Sequence, residues 1–273
     1  MDRLTVASPG PGLPHSISLN PPPGPGPKMP NEEYLDASVH WKVRNERIGF
    51  AEPTHDEVAD AIVESGLATE VGQRLGSGKE ADVYLCRDGR RPLVVKVYRQ
   101  YRTAHRGGRP IKLASMGELA SREFELLGYA WQGGARVPEP GRRVENMFSM
   151  EYLGTLAAAA PRLQQAKLDN PASFLRSTVA GIEGLAEAGI VHSDLSPFNI
   201  LVHEDEPWFI DLAAGIRVDR LGSPPWVRLN EALRALDHGA RTLERHFRRY
   251  GLGLDPSEIL ARVRAKIDLF RLA

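Results

Sequence analysis

Residues 189–215 read GIVHSDLSPFNILVHEDEPWFIDLAAG, and the order of polar and apolar residues in this stretch decides the fold. An apolar approach (Gly189, Ile190, Val191) leads into His192-Ser-Asp194-Leu-Ser-Pro-Phe-Asn199. A β-type run starts at Ile200, a polar turn spans Glu204 to Glu206, and a second apolar run ends in Asp211. Pairing the two runs as a hairpin brings Asp194, Asn199 and Asp211 to one edge, each where a strand meets a loop. One acid or amide at a loop end is ordinarily a turn residue or a helix cap. Three at this spacing are better explained as a site for a hard cation and phosphate, since Mg²⁺ takes oxygen ligands and keeps waters and phosphates for the rest of its shell.

Phosphoryl transfer asks little covalent work of a protein beyond positioning and charge neutralisation. Asp194 suits the carboxylate that orients an attacking hydroxyl, and Asn199 and Asp211 suit the metal ligands. The spacing H-x-D-x-x-x-x-N, followed by an Ile-Asp strand end, is that of a protein-kinase catalytic loop and its metal-binding Asp. His192 is read as a residue that packs and hydrogen-bonds locally to shape the loop, with no proton transfer.

The rest of the chain has to supply a phosphate-facing wall. In Gln73-Arg-Leu-Gly-Ser-Gly-Lys-Glu-Ala-Asp-Val-Tyr-Leu-Cys86 the pattern is strand, turn, strand. Gly76, Ser77, Gly78 and Lys79 could turn backbone amides towards phosphate, although a glycine turn between two strands is more often a plain hairpin and Ala81 takes the third glycine place of G-x-G-x-x-G. Next, Pro92-Leu-Val-Val-Lys96-Val-Tyr98 sets a lysine inside an apolar strand. A buried ammonium needs an acid or a phosphate, unless the strand is an edge that leaves Lys96 in solvent. Leu119-Ala-Ser-Arg-Glu123-Phe-Glu-Leu-Leu127 is helical in pattern and offers Glu123 as that acid, with Glu125 as the fallback. Asn146 to Gly154 reads as a strand and hinge, where backbone groups of Glu151 and Leu153 suit an adenine edge.

Composition bounds the alternatives. The chain has 273 residues, 42% hydrophobic and 26% charged, enough for one domain of two lobes. Its formal net charge of zero gives no global field for nucleic acid or an anionic membrane, but residues 96–112 carry Lys96, Arg99, Arg102, Arg106, Arg109 and Lys112 without an acid. That basic loop is either solvated or a grip for an anionic partner. A lone cysteine, Cys86, precludes an intramolecular disulfide framework. No apolar run reaches membrane-span length and the N-terminus lacks a signal-peptide apolar region, so a cytoplasmic protein without a membrane partner is expected.

The organisation expected along the chain starts with a disordered Pro/Gly-rich tail over residues 1–30, then an N-terminal extension over 31–53. Thr54 caps a helix ending near Gly66. An amphipathic helix over Ala172–Ala188 leads into the Asp194 loop, and helices over Leu229–Tyr250 and Ser257–Leu272 close the chain.

Taken together, Gly-Ser-Gly-Lys-Glu-Ala, the strand lysine, Arg-Glu-Phe-Glu, Met150-Glu-Tyr-Leu, His-Ser-Asp-Leu-Ser-Pro-Phe-Asn and Ile-Asp-Leu resemble the Rio family of atypical serine/threonine protein kinases over roughly Thr54 to Gly251. The resemblance is to the branch with a short N-terminal extension, and to a bacterial member of it. It implies an α+β, two-lobed kinase-like fold, with an antiparallel sheet and one helix in an N-lobe (residues 54–154) and a mainly helical C-lobe (155–273). It also implies ATP and Mg²⁺ in the cleft, and it casts Asp211 as metal ligand with a transient phosphoryl-acceptor role as a further use. No Ala-Pro-Glu follows Asp211, in keeping with the family's missing activation segment.

The function expected is therefore ATP- and Mg²⁺-dependent phosphoryl transfer to serine or threonine of an unknown protein, the chain itself included, or ATP hydrolysis, with Asp194 as base. Two alternatives stand beside it. One is a small-molecule kinase of the aminoglycoside-phosphotransferase kind, which shares the Asp194–Asp211 edge. The other is an ATP-gated switch that docks on RNA or a ribosomal particle through residues 96–112 and the Arg-rich helix over Leu229–Tyr250.

Overall fold

The computed structural model describes residues 50–51, 53–78, 80–98, 101–103, 110–111, 114–155 and 157–272. The tail expected over 1–30, the extension up to residue 49, Lys79 and much of the basic stretch (99–100, 104–109 and 112) lie outside the described residues. Short strand β1 (Phe50–Ala51) precedes helix α1 (His55–Glu64). Its start is set by a capping box, in which the Thr54 hydroxyl accepts from the Glu57 amide at 3.3 Å and the Glu57 carboxylate accepts from the Thr54 amide at 2.9 Å. Strands β2 (Glu70–Ser77), β3 (Ala81–Asp88) and β4 (Arg91–Tyr98) follow as two hairpins. Strands β5 (Tyr101–Thr103) and β6 (Pro110–Ile111) fall within the basic stretch expected to be a loop, and β5 pairs with both β1 and β6.

Helix α2 (Ala114–Gln132) then crosses to β7 (Pro140–Val144) and β8 (Met147–Glu151). The main sheet has the order β2-β3-β4-β8-β7, antiparallel at every pair. Strand β4 is therefore central, which excludes the edge-strand alternative for Lys96. Side chains alternate across a strand. One face, with Val95, Val97, Tyr84, Cys86 and Met147, packs on Val58 and Ile62 of α1. Lys96, Tyr98 and Phe148 point to the other face, where α2 lies. The sheet thus carries α1 in addition to the one helix expected of it.

Beyond the hinge come α3 (Pro171–Glu187), β9 (Ile190–Val191), β10 (Ile200–His203), β11 (Glu206–Phe209), β12 (Ile216–Arg217), α4 (Pro225–Arg248) and α5 (Pro256–Leu272). Asn170 caps α3 by accepting from the Ser173 amide at 3.0 Å, and Pro171 opens its first turn. Strands β10 and β11 form the expected hairpin, closed by Glu204 and Asp205 at φ 52° and 59°. Positive φ at both turn residues matches the twist of the strands. Strand β9 pairs antiparallel with β12, tying the approach to Asp194 to the chain after Asp211.

Two glycines let helices approach this unit closely. A Cβ on Gly181 of α3 would lie 2.4 Å from the Phe209 ring, and one on Gly239 of α4 would lie 2.7 Å from Leu195. Phe209 is fully buried and Leu195 nearly so. Close packing of this kind leaves the hairpin and the Asp194 loop little room to shift. The largest apolar cluster runs from Tyr98 and Phe148 of the sheet through α2 to α3, α4 and α5.

Candidate active site

Lysine 96 forms the centre of the site. Its Nζ lies 2.8 Å from Glu123 Oε1 and 2.7 Å from Oε2, and 3.0 Å from Asp211 Oδ1. One ammonium thus joins the sheet, α2 and the end of the β10–β11 hairpin. Burial alone would push the lysine towards neutrality, but the Glu123 and Asp211 carboxylates outweigh it and hold Lys96 above the ordinary lysine pKa. The fallback acid, Glu125, points away and sits 4.0 Å from Arg220 at the surface. A helical turn of 3.6 residues cannot bring both to the lysine.

Opposite, Asp194 and Asn199 hold one another. The Asn199 side-chain amide donates to the Asp194 carbonyl at 2.8 Å and to Asp194 Oδ2 at 2.9 Å. Its oxygen, Oδ1, is then the atom turned away from Asp194 and suited to a cation. Asp211 follows β11 with φ 62°, a conformation that Asp tolerates better than most residues and that tends to occur at functional sites.

His192 is buried and bridges the two acids' loops. Its Nδ1 accepts from the Asp194 amide at 3.3 Å and its Nε2 lies 3.1 Å from the Ile210 carbonyl. An accepting Nδ1 places the proton of a neutral ring on Nε2, which donates to Ile210. Burial lowers the pKa of this ring and keeps it neutral. The residue therefore shapes the loop, as expected from the sequence.

A cleft of roughly 500 Å³ lies between these groups, lined among others by Gly78, Glu80, Lys96, Tyr98, Asp194 and Asp211. Glu123 stands behind Lys96, and Asn199 behind Asp194. Gly76 and Ser77 end β2, and the Gly78 amide donates to the Ala81 carbonyl at 2.9 Å, which closes the turn over the cleft. At the hinge the Glu151 amide donates to the Glu139 carbonyl at 2.8 Å, and the Leu153 carbonyl accepts from the Ala160 amide at 2.9 Å. Glu151 and Leu153 do not line the cleft that Lys96 and the two aspartates share.

Sequence reasoning missed Tyr98, whose hydroxyl donates to Glu123 Oε2. The signal was present, since Tyr98 lies two residues beyond Lys96 and a strand repeats its facing every two residues. It also missed the pairing of β9 with β12, because two-residue strands carry no periodicity.

Comparison with known proteins fits this geometry. The family model described as the RIO domain matches residues 93–252. This chain belongs to the RIO family of serine/threonine kinases. Among its RIO relatives, Rio1 of Haloferax volcanii, a RIO-type serine/threonine-protein kinase, is 27% identical over 209 residues, covering 71% of this chain and 69% of that protein. Rio1 of Methanocaldococcus jannaschii is 31% identical over 156 residues, 52% of this chain and 53% of the relative. The RIO1 kinase of Caenorhabditis elegans is 25% identical over 73% of this chain, which spans only 44% of its length. The fold matches the Chaetomium thermophilum Rio2 kinase, solved as an ADP/Mg²⁺-phosphoaspartate complex, with a TM-score of 0.56 at 20% identity over 86% of this chain and 80% of that one. The relatives named here are serine/threonine-protein kinases, which favours protein phosphorylation over the small-molecule alternative.

Proposed function

We propose that this RIO protein transfers the γ-phosphoryl group of ATP, with Mg²⁺, to serine or threonine hydroxyls of a protein acceptor, itself included. The single observation that supports this most is the bonding of Lys96 to Glu123 and Asp211 at once, 2.7 and 3.0 Å away, opposite an Asp194 held by Asn199. The residues fit a hard divalent cation. Asn199 Oδ1, behind Asp194, and the Asp211 carboxylate on the cleft wall are oxygen donors, and two protein ligands are what Mg²⁺ commonly takes when phosphates and waters complete its shell. Among the described residues no group of three or more His, Cys, Asp or Glu forms an all-protein metal cage, in keeping with a cation that arrives with its nucleotide. When bound, the cation supplies charge neutralisation at the phosphates.

The chain's own residues do the rest. The Lys96 ammonium, held from behind by Glu123, faces the phosphates. The turn at Gly76, Ser77 and Gly78 covers them, with Lys79, outside the described residues, as a further phosphate-binding candidate. Beyond the part of the cleft that Lys96 and the two aspartates share, hinge backbone groups of Glu151 and Leu153 serve the adenine edge. Asp194 is exposed to solvent, oriented by the Asn199 amide, and accepts the proton of the acceptor hydroxyl. Asp211 serves the cation, with a second use as phosphoryl acceptor supported by the phosphoaspartate in the related Rio2 complex.

The test is incubation of the purified protein with γ-labelled ATP, Mg²⁺ and a lysate. Transfer of label to protein is expected, and Asp194→Asn should reduce it by about 10²–10⁴-fold, the range for removing a positioned general base, with the thermal midpoint unchanged. Undiminished labelling by Asp194→Asn would remove Asp194 from the mechanism. Label that is lost on mild hydroxylamine treatment would place it on a carboxylate, and Asp211→Asn should then abolish it.

A further inference from the structure

Tyr98 has no place in the phosphoryl-transfer scheme, yet it is built into the site from two sides. Its main chain is fixed by the turn between β7 and β8: the Tyr98 amide donates to the Asn146 carbonyl at 2.9 Å, and the Asn146 side-chain amide donates back to the Tyr98 carbonyl. Its side chain is 1% exposed, and its hydroxyl donates to Glu123 Oε2 on α2. The ring lies 5.4 Å from the Lys96 ammonium and forms part of the cleft wall.

The donor count at Glu123 gives this arrangement a purpose. A lone lysine and glutamate move as a pair: when an incoming phosphate draws the ammonium away from Asp211, the carboxylate is free to turn and follow it. A hydrogen bond from a second, immobile donor stops that rotation. The donor must be neutral, because a second cation would compete with Lys96 for the carboxylate and repel the ammonium. A buried phenol meets both conditions, since burial and then the neighbouring Glu123 charge raise its pKa and keep it protonated.

We propose that Tyr98 is a positioning residue for the nucleotide phosphates, acting through Glu123: it locks the carboxylate so that Lys96 stays aimed into the cleft when the ammonium exchanges Asp211 for phosphate. The inference rests on the reading of the cleft as an ATP site. It separates Tyr98 from a packing role, because a packing residue would affect every ligand alike, whereas a lock on Lys96 affects only the part of the ligand that Lys96 meets.

The experiment uses the full chain and Tyr98→Phe, which keeps the ring and removes only the hydroxyl. Affinity for Mg-ATP, Mg-ADP and adenosine is measured by calorimetry, alongside Glu123→Gln and the double variant. A hydrogen bond to a charged group sets the expected size, about tenfold weaker Mg-ATP and Mg-ADP binding in Tyr98→Phe, with adenosine affinity close to wild type. The lost bond to buried Glu123 also lowers the thermal midpoint, so selectivity among the three ligands is the deciding readout. Because the effect runs through Glu123, the double variant should bind Mg-ATP no more weakly than Glu123→Gln alone. Wild-type affinity for Mg-ATP in Tyr98→Phe, an equal loss for adenosine, or additive losses in the double variant would each overturn the proposal while leaving the ATP site standing. A wild-type protein that binds adenosine and Mg-ATP not at all would overturn both.

Discussion

On the sheet side of the cleft the Lys96 and Glu123 side chains are 10% and 5% exposed, while Asp211, bonded to the same lysine from the hairpin side, is 46% exposed. The sheet wall keeps its ions dry and mutually satisfied before any ligand arrives. The hairpin wall leaves its carboxylates wet. Desolvating a charge is costly, so the buried wall holds a fixed pair whose cost is met once, on folding, and the open wall can exchange water for cation and phosphate with little reorganisation.

The sharpest way to break this comparison is to remove one charge from each wall. Lys96→Met leaves Glu123 buried with only the Tyr98 hydroxyl for a partner, and a destabilisation of about 3–5 kcal/mol is expected in denaturant titrations, in addition to lost activity. Asp211→Asn keeps a residue that tolerates positive φ and removes the half-exposed partner of Lys96, which retains Glu123, so a smaller loss of about 1 kcal/mol is expected. Equal destabilisation by the two would show that both walls are structural.

Acid sharpens the contrast from another direction, because the buried histidines lie outside the cleft's wet side. His246 of α4 is pushed down to about 4, by burial first and by Arg249 second, and burial also lowers His192. Between the ordinary histidine value and these lowered ones, the unfolded chain binds protons that the folded chain refuses. Stability should be level above pH 6.5 and fall as the pH drops below it, by up to about 3 kcal/mol from His246 near pH 4. Urea midpoints from pH 8 to 4.5 check this, and His246→Gln should remove much of the slope. Protonation of His192 would also turn its Nδ1 into a donor facing the Asp194 amide, so activity should decline in the same direction.

The smallest effect belongs to the surface of the hairpin. Arg136 pairs with Glu206, and both side chains are well exposed. Glu206→Gln should change stability by less than about 1 kcal/mol, an effect diminished further by salt. A loss as large as that of Lys96→Met would contradict the distinction between dry and wet charges.

Parts of the site were legible because they depend on short spacings. The His192–Asn199 interval, the two apolar runs and the turn at Glu204 and Asp205 specify a hairpin with Asp194 and Asp211 at one end, and local backbone preferences suffice to form it. The strand lysine demanded an acid, and the helix pattern narrowed the choice to two. Choosing Glu123 over Glu125 required the phase of α2, which is set by Met116, Ala120, Leu127 and Ala130 in the core. Small alanines carry little weight in a periodicity reading, whereas the more conspicuous Leu119 and Phe124 are only partly buried.

The sequence alone determined which residue types the cleft would contain and which local turns would present them, because cap, turn and strand preferences act over three to eight residues. Only the tertiary structure decided that Tyr98 donates to Glu123, that β9 pairs with β12 and that one wall is dry and the other wet. Those outcomes depend on packing between segments up to 115 residues apart, such as Lys96 and Asp211, whose meeting no local preference encodes.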